Sequence, residues 1–201
     1  MSARDEILTR VREAIAPARP PAPDLPREYR THTGDGIETF IARLHHYQAQ
    51  TQRIPETQLD HTVGTTLRKR HARRVVAPEG IPEAWLVGLE PLRDTPPLDP
   101  HTLDGADAVV TTCAVAIAQT GTIVLNGSAG MGRRALSLVP DYHLCVVRSD
   151  QIVSSVPEAI ATLDPLRPLT FISGPSATVD IEMVRVAGVH GPRRLEVIIA
   201  G

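Results

Sequence analysis

Apolar residues recur along this chain with two different periods, and the changes between them outline its elements. Ile7, Leu8, Val11 and Ile15 fall on one face of a helix over residues 3–15, with Ser2 at the cap and Asp5 at the capping-box position. Residues 16–26, APARPPAPDLP, hold five prolines in eleven positions and predict an extended, semi-rigid connector. A helix this short is marginal alone in water, so it is expected to pack within its own assembly, with a second copy or another protein as the other hosts. Ile37, Phe40, Ile41 and Leu44 then predict a helix from Ile37 to about Gln52. A further helix is expected from about Glu56 to His71, and the cations from Arg68 to Arg74 complement its C-terminal dipole without needing a ligand. This divides the chain into a helix and linker over 1–35 and a main domain over 36–201.

Strand-length apolar runs follow. Val75–Ala77 and Asp107–Thr112 read as strands, Glu90–Pro100 as a proline-rich acidic stretch, and Leu103–Asp107 as a helical turn. Ile123–Leu125, Ala135–Val139 and Leu144–Val147 read as three buried strands joined by tight connections. Ile152–Leu163 returns to helical spacing, and Leu169–Ile172, Val184–Val189 and Leu195–Ile199 complete the strands. The alternation of helix and strand predicts an α/β fold with a mostly parallel central sheet flanked by helices. The closely spaced strands of the middle block cannot all be joined by crossover helices, so they predict an antiparallel portion or a small adjoining layer.

The chain has 201 residues, 42% hydrophobic and 22% charged, a balance that suits a globular protein with one sizeable core. A net charge of −2 and six aromatic residues provide neither the basic footprint nor the stacking platform of a nucleic-acid binder. No apolar run approaches a membrane span, and SARDEILTR does not resemble a signal peptide, so the expected compartment is the cytoplasm. Cys113 and Cys145 are isolated and predict two core thiols; they cannot hold an iron–sulfur cluster. Adjacent His45 and His46 project about 100° apart on a helix, and no H-x-x-x-H spacing occurs, so no metal site is expected.

Candidate chemistry concentrates in two regions. Gly127-Ser-Ala-Gly130-Met-Gly132-Arg133-Arg134 combines glycines, which leave backbone N–H groups uncovered, with two guanidinium groups. It can hold an anion, or serve as a hairpin loop with solvated arginines. The run Ser173-Gly174-Pro175-Ser176-Ala177-Thr178 follows a strand, where an open α/β sheet presents ligand-facing atoms, and Ser176 and Thr178 suit phosphate contacts or helix caps. Asp180 and Glu182 share a face on a strand or diverge on a helix. Asp180 can orient an arginine. His190, in a glycine-flanked turn, can carry a proton or cap a backbone group.

Four ordered blocks, AIAQTGTIVL from Ala116, GRRALSLVPDYH from Gly132, FISGPSATVDIEM from Phe171 and GVHGP from Gly188, resemble the LUD-domain family, lactate-utilisation protein C type. The likeness spans about Ile37 to Ala200. It implies a fold like that of the superfamily of CoA transferases and sugar-phosphate isomerases, whose members bind phosphorylated or CoA-linked molecules at loops on strand ends. It also implies a part in oxidising L-lactate to pyruvate beside two iron–sulfur partner proteins. Family sequences usually carry an acidic residue before the T-G-T turn, whereas this chain has Gln119, whose carboxamide cannot act as a general base.

The leading expectation is therefore a non-redox subunit of an L-lactate-oxidising system, binding no cofactor itself, with iron–sulfur clusters in its partners. Its expected ligand contacts are Gln119, Thr120, Gly121, Thr122, Gly130, Gly132, Arg133, Arg134, Gly174, Ser176 and Thr178, and its candidate catalytic residues are His190 and Asp180. A small carboxylate or phosphate is the expected ligand, and a homo-oligomer is compatible with the sequence. The alternatives are a stand-alone enzyme acting on a phosphorylated sugar or acyl-CoA, and a carboxylate-sensing regulatory or scaffold protein.

Overall fold

The computed structural model describes residues 2–15, 28–178, 186–187 and 190–201. Met1–Arg30 and Thr31–Gly201 are separate units. In the first, helix α1 spans Ala3–Ile15. The Asp5 carboxylate accepts from the Ser2 hydroxyl at 2.8 Å and the Ser2 N–H at 3.1 Å, while the Asp5 N–H donates to the Ser2 hydroxyl at 3.3 Å. These bonds from Ser2 hold the Asp5 carboxyl below its ordinary range. The expected proline-rich connector lies outside the described residues.

The second unit is built on twelve described strands and four helices. In chain order these are α2 (Ile37–His46), β1 (Gln50–Ile54), α3 (Leu59–Lys69), β2 (Arg74–Val76), β3 (Glu90–Leu92), α4 (Pro100–Asp104), β4 (Ala108–Thr111), β5 (Val115–Ile117), β6 (Thr122–Leu125), β7 (Tyr142–Arg148), β8 (Ile152–Val153), α5 (Val156–Thr162), β9 (Thr170–Ile172), β10 (Ala177–Thr178), β11 (Val186–Ala187) and β12 (Arg194–Ala200). Six strands form an all-parallel sheet in the order β1-β12-β7-β4-β2-β3. A smaller sheet runs β8-β5-β6-β9, with β5/β6 and β6/β9 antiparallel and β5/β8 parallel. The α/β class and its antiparallel portion thus match what the hydrophobic pattern predicts.

Alternation along the central strands sends side chains into two cores. Tyr142, Leu144, Val146 and Ile198 face Leu59, Val63 and Leu67 of α3 and Trp85 of the 3-10 turn Glu83–Leu86. Cys145, Val147, Val197 and Ile199 face Phe40 and Leu44 of α2 together with Ala116, Ile123 and Leu125 of the smaller sheet. The far side of that smaller sheet packs Val115, Ile117 and Val124 against Ala159 of α5. Both cysteines are buried and free. Among the described residues no helix is long and apolar enough to cross a membrane.

Three sequence expectations need correction. The helix begun at Ile37 ends at His46, Gln48 takes a left-handed φ of 67°, and Gln50–Ile54 is a strand rather than helix. Its polar residues gave no strand signal because β1 is an edge strand whose Gln52 amide serves a buried carboxylate, donating to Glu196 Oε1 at 2.7 Å. Ala135–Val139 is not a strand either. Arg134–Ser137 forms a 3-10 turn, where local bonds such as Leu136 N–H to Arg133 C=O at 3.0 Å satisfy the backbone and Leu136 is buried beside Val76, Leu103 and Val109. Finally, Ile152–Leu163 is divided: β8 comes first, and the helix occupies only Val156–Thr162. Strands β3 and β5 were not expected, and Pro91 within β3 is tolerated because that strand lies at the sheet edge.

Glu196 is the buried charge of the parallel sheet. Besides Gln52, its carboxylate accepts from Arg70 Nε at 3.0 Å and from the Tyr142 hydroxyl at 3.1 Å. Burial and then the neighbouring Glu196 charge push the Tyr142 phenol well above its ordinary value, while the Glu196 hydrogen bond raises that of Arg70. These three bonds tie β1, β7 and Arg70 at the end of α3 to β12. Leu144, fully buried in β7, should show how much this core contributes. Leu144→Ala is expected to cost about 2–5 kcal/mol in urea unfolding, with the slope unchanged.

Candidate functional site

A cleft of about 250 Å³ opens between β9 of the smaller sheet and the starts of β7 and β12. The 3-10 turn brings Arg134 and Ser137 to it, the segment after β9 brings Ser173, Gly174 and Ser176, and the turn before β12 brings His190. Leu138, Phe171, Ile172 and Leu195 add apolar wall, and His143 reaches it from β7. Two loops distant in sequence are joined here: the Ser176 N–H donates to Pro192 C=O at 2.8 Å, and the His190 N–H donates to Ser176 Oγ at 3.1 Å. Gly174 turns with φ 90°, and any Cβ there would strike Tyr47 at the end of α2. Glycine is thus required for the loop to approach this closely.

The T-G-T turn connects to the cleft indirectly. Thr120 and Thr122 share a hydroxyl hydrogen bond of 2.7 Å, and Thr122 shares another of 2.7 Å with Ser173. Gly121 packs against Arg43 of α2, and the Gln119 N–H donates to Ser154 C=O at 3.1 Å; neither lines the cleft. Thr178 lies in β10, paired with Val186 of β11. Asp180 lies outside the described residues.

Arg134 is exposed and has no acidic partner among the described residues, and no carboxylate appears among the described residues that line the cleft. One guanidinium, three serine hydroxyls and two imidazoles beside an apolar wall suit a small anion with a short hydrocarbon part. His143 and Ser137 were not among the expected site residues. Both nevertheless stand in GRRALSLVPDYH, where the alternation around His143 resembles any buried strand and its chemistry carries no local mark.

His143 is 1% exposed, and its Nε2 lies 2.7 Å from Thr111 Oγ1 on β4. Burial without a charged partner pushes its pKa down to about 4, so the imidazole is neutral near pH 7.

The glycine-rich loop serves a different place. Gly127, Ser128, Ala129 and Gly132 line a second cleft of about 340 Å³ with Pro78 and Glu79 after β2 and Asp94 and Thr95 after β3. Gly130 donates to Glu79 C=O at 2.6 Å and accepts from the Thr112 N–H at 2.8 Å; a Cβ on it would lie 2.5 Å from Thr112 Oγ1. Arg133 forks onto Asp94 at 2.8 and 3.0 Å and donates to Leu98 C=O at 2.6 Å. Burial opposes the charged form of Asp94, yet Arg133 and the Leu98 N–H together hold its carboxyl below the usual range. The structure therefore separates the two neighbouring arginines: Arg134 lines the first cleft, and Arg133 is bound to a carboxylate. Among the described residues no group of three or more His, Cys, Asp or Glu side chains is placed to hold a metal.

The depressed pKa of His143 has a consequence for stability. Between pH 6.5 and 4 the unfolded chain binds a proton at this position that the native protein refuses, so stability falls as pH falls. Wild-type protein should lose about 2 kcal/mol more than His143→Gln between pH 7 and pH 5. Urea unfolding of both proteins at the two pH values measures it, and parallel losses would contradict the buried neutral imidazole.

Comparison with known proteins places these observations in a family. A family model described as LUD domain matches residues 101–200. The protein named Lactate utilization protein C from Deinococcus radiodurans is 49% identical over 205 residues, covering 99% of this chain and 96% of that protein. Its namesake from Shouchella clausii is 36% identical over 94 residues, covering 43% of this chain and 41% of that protein. A crystal structure of a DUF162 family protein from Deinococcus radiodurans matches with a TM-score of 0.69 and 46% identity, covering 82% of this chain and 95% of that one. The chain belongs to the LUD-domain family, among proteins of the lactate utilization protein C type.

Proposed function

We propose that this protein is a non-redox subunit of an L-lactate utilisation system, working with iron–sulfur partner proteins that carry the electrons. The observation that carries this reading is the 49% identity, over nearly the whole chain, to a protein named Lactate utilization protein C. The chain's own chemistry supports this division of labour: its two buried cysteines are fewer than the four thiolates of a typical cluster. In this reading the cleft of Arg134 and Ser176 receives a small carboxylate. The guanidinium takes the carboxylate, the serine hydroxyls and His190 surround the polar edge, and Leu138 and Leu195 take the methyl group. Thr120 and Thr122 act behind Ser173 by fixing its hydroxyl.

A stand-alone enzyme on a phosphorylated sugar or acyl-CoA ranks second. The sheet-end cleft beside the glycine-rich loop, where such a phosphate would be expected, carries Glu79 and Asp94 in its wall. Of the guanidinium groups beside it, Arg133 is already held by Asp94, and Arg167 donates to Ser128 Oγ at 2.8 Å.

Reconstitution tests the proposal. L-lactate-dependent dye reduction by the two purified iron–sulfur partners should require this chain, and the chain alone should be inactive. Arg134→Gln should raise the L-lactate concentration needed by about tenfold to a hundredfold, as expected for losing a hydrogen bond to a charged group. Arg133→Gln should leave that concentration nearly unchanged. Equal activity of the partners without the chain would defeat the subunit reading.

A further inference from the structure

His143 is nine-tenths and more buried, yet it lines the Arg134 cleft. Its Nε2 is occupied by Thr111, and its Nδ1 has no hydrogen-bond partner among the described residues. Among the described residues no side-chain nitrogen or oxygen is both enclosed and unpaired, so Nδ1 opens on the cleft that His143 lines. The direction of the Thr111 bond then decides what Nδ1 offers. Thr111 is itself fully buried and must place its hydroxyl proton. The lone pair of Nε2 at 2.7 Å is the strong acceptor beside it, and the sulfur of Cys145 is a weak one. Thr111 therefore donates to Nε2, and the neutral imidazole carries its own proton on Nδ1.

We propose that His143 Nδ1–H reads the oxygen on C2 of a short carboxylic acid whose carboxylate is held by Arg134, with Thr111 as the positioning residue. This makes the ligand class 2-oxo and 2-hydroxy acids, and it rests on the reading above that the cleft binds a small carboxylate. The donors come from separate parts of the fold, Arg134 from the 3-10 turn and His143 from the parallel sheet. Guanidinium and imidazole N–H both demand acceptors, which suits adjacent carboxylate and carbonyl or hydroxyl oxygens. An acid with hydrogen at C2 would leave the buried donor unpaired, the situation that gives polar sites their selectivity. Thr111 fixes the tautomer from behind and touches no ligand.

Calorimetric titration of the full chain with pyruvate, L-lactate and propionate tests this, since the three share a carboxylate and a three-carbon frame. Pyruvate and L-lactate should bind about tenfold or more tighter than propionate. Thr111→Val, nearly the same shape, should narrow that ratio, and His143→Phe should remove it. Nitrogen-15 spectra of the wild-type imidazole provide a readout that needs no variant, and should show the proton of His143 on Nδ1. Propionate binding as tightly as pyruvate, or a proton on Nε2, would overturn the role of His143 while leaving the carboxylate cleft standing. If none of the acids binds, or if Arg134→Gln binds all three as well as wild type, the cleft reading fails and this inference fails with it.

Discussion

The structure depends on one insertion: β12 lies between β1 and β7 and hydrogen-bonds to both, in register over its whole length with β7. Leu195 to Ala200 are all buried, so this strand contributes to the cores on both faces of the sheet. Its partners come from residues 50–54 and 142–148, far away in the chain. Parallel pairing of this kind forms only after long loops have closed, and the entropy of that closure is offset once both faces are covered. The polar start of the strand is handled differently from its apolar remainder. Glu196 would be costly to bury alone, but Gln52, Arg70 and Tyr142 supply donors to both of its oxygens.

This insertion also determines where the chemistry collects. The starts of β7 and β12 bring His143 and Leu195 side by side in register, beneath the strand β9 of the smaller sheet. The smaller sheet has to lie there because its inner face, Ala116, Ile123 and Leu125, completes the core over Cys145, Val197 and Ile199. The cleft is thus a seam between two layers, formed where their strands diverge. The opposite ends of β2 and β3 carry the second cleft, closed by the glycine-rich loop and lined by carboxylates. Two neighbouring residues of the sequence, Arg133 and Arg134, serve these two different places.

Parts of the site could be read along the chain. Gly174, Ser176, Arg134 and His190 stand out by residue type and by their place after strands or in turns, and all four line one cleft. Thr120 and Thr122 reach it only through Ser173, a connection across 51 positions that no local pattern announces. Gly130 stood out for the same reason as Gly174, yet its backbone joins Glu79 and Thr112 in packing. His143 escaped notice because a histidine inside an apolar strand run carries no sign of which face it occupies or what lies opposite.

The sequence by itself determined the α/β class, most of the helices and the apolar central strands, because the periods of burial on a helix and in a sheet are local properties. It also carried the four ordered motif blocks that belong to one family. Only the tertiary structure decided that Gln50–Ile54 is an edge strand and that Ala135–Val139 is no strand, since backbone pairing depends on what lies alongside. It alone separated Arg133 from Arg134 and set a buried neutral imidazole against Thr111. Charge pairing, desolvation and the direction of a hydrogen bond are set by neighbours in space, and the linear order of residues does not contain them.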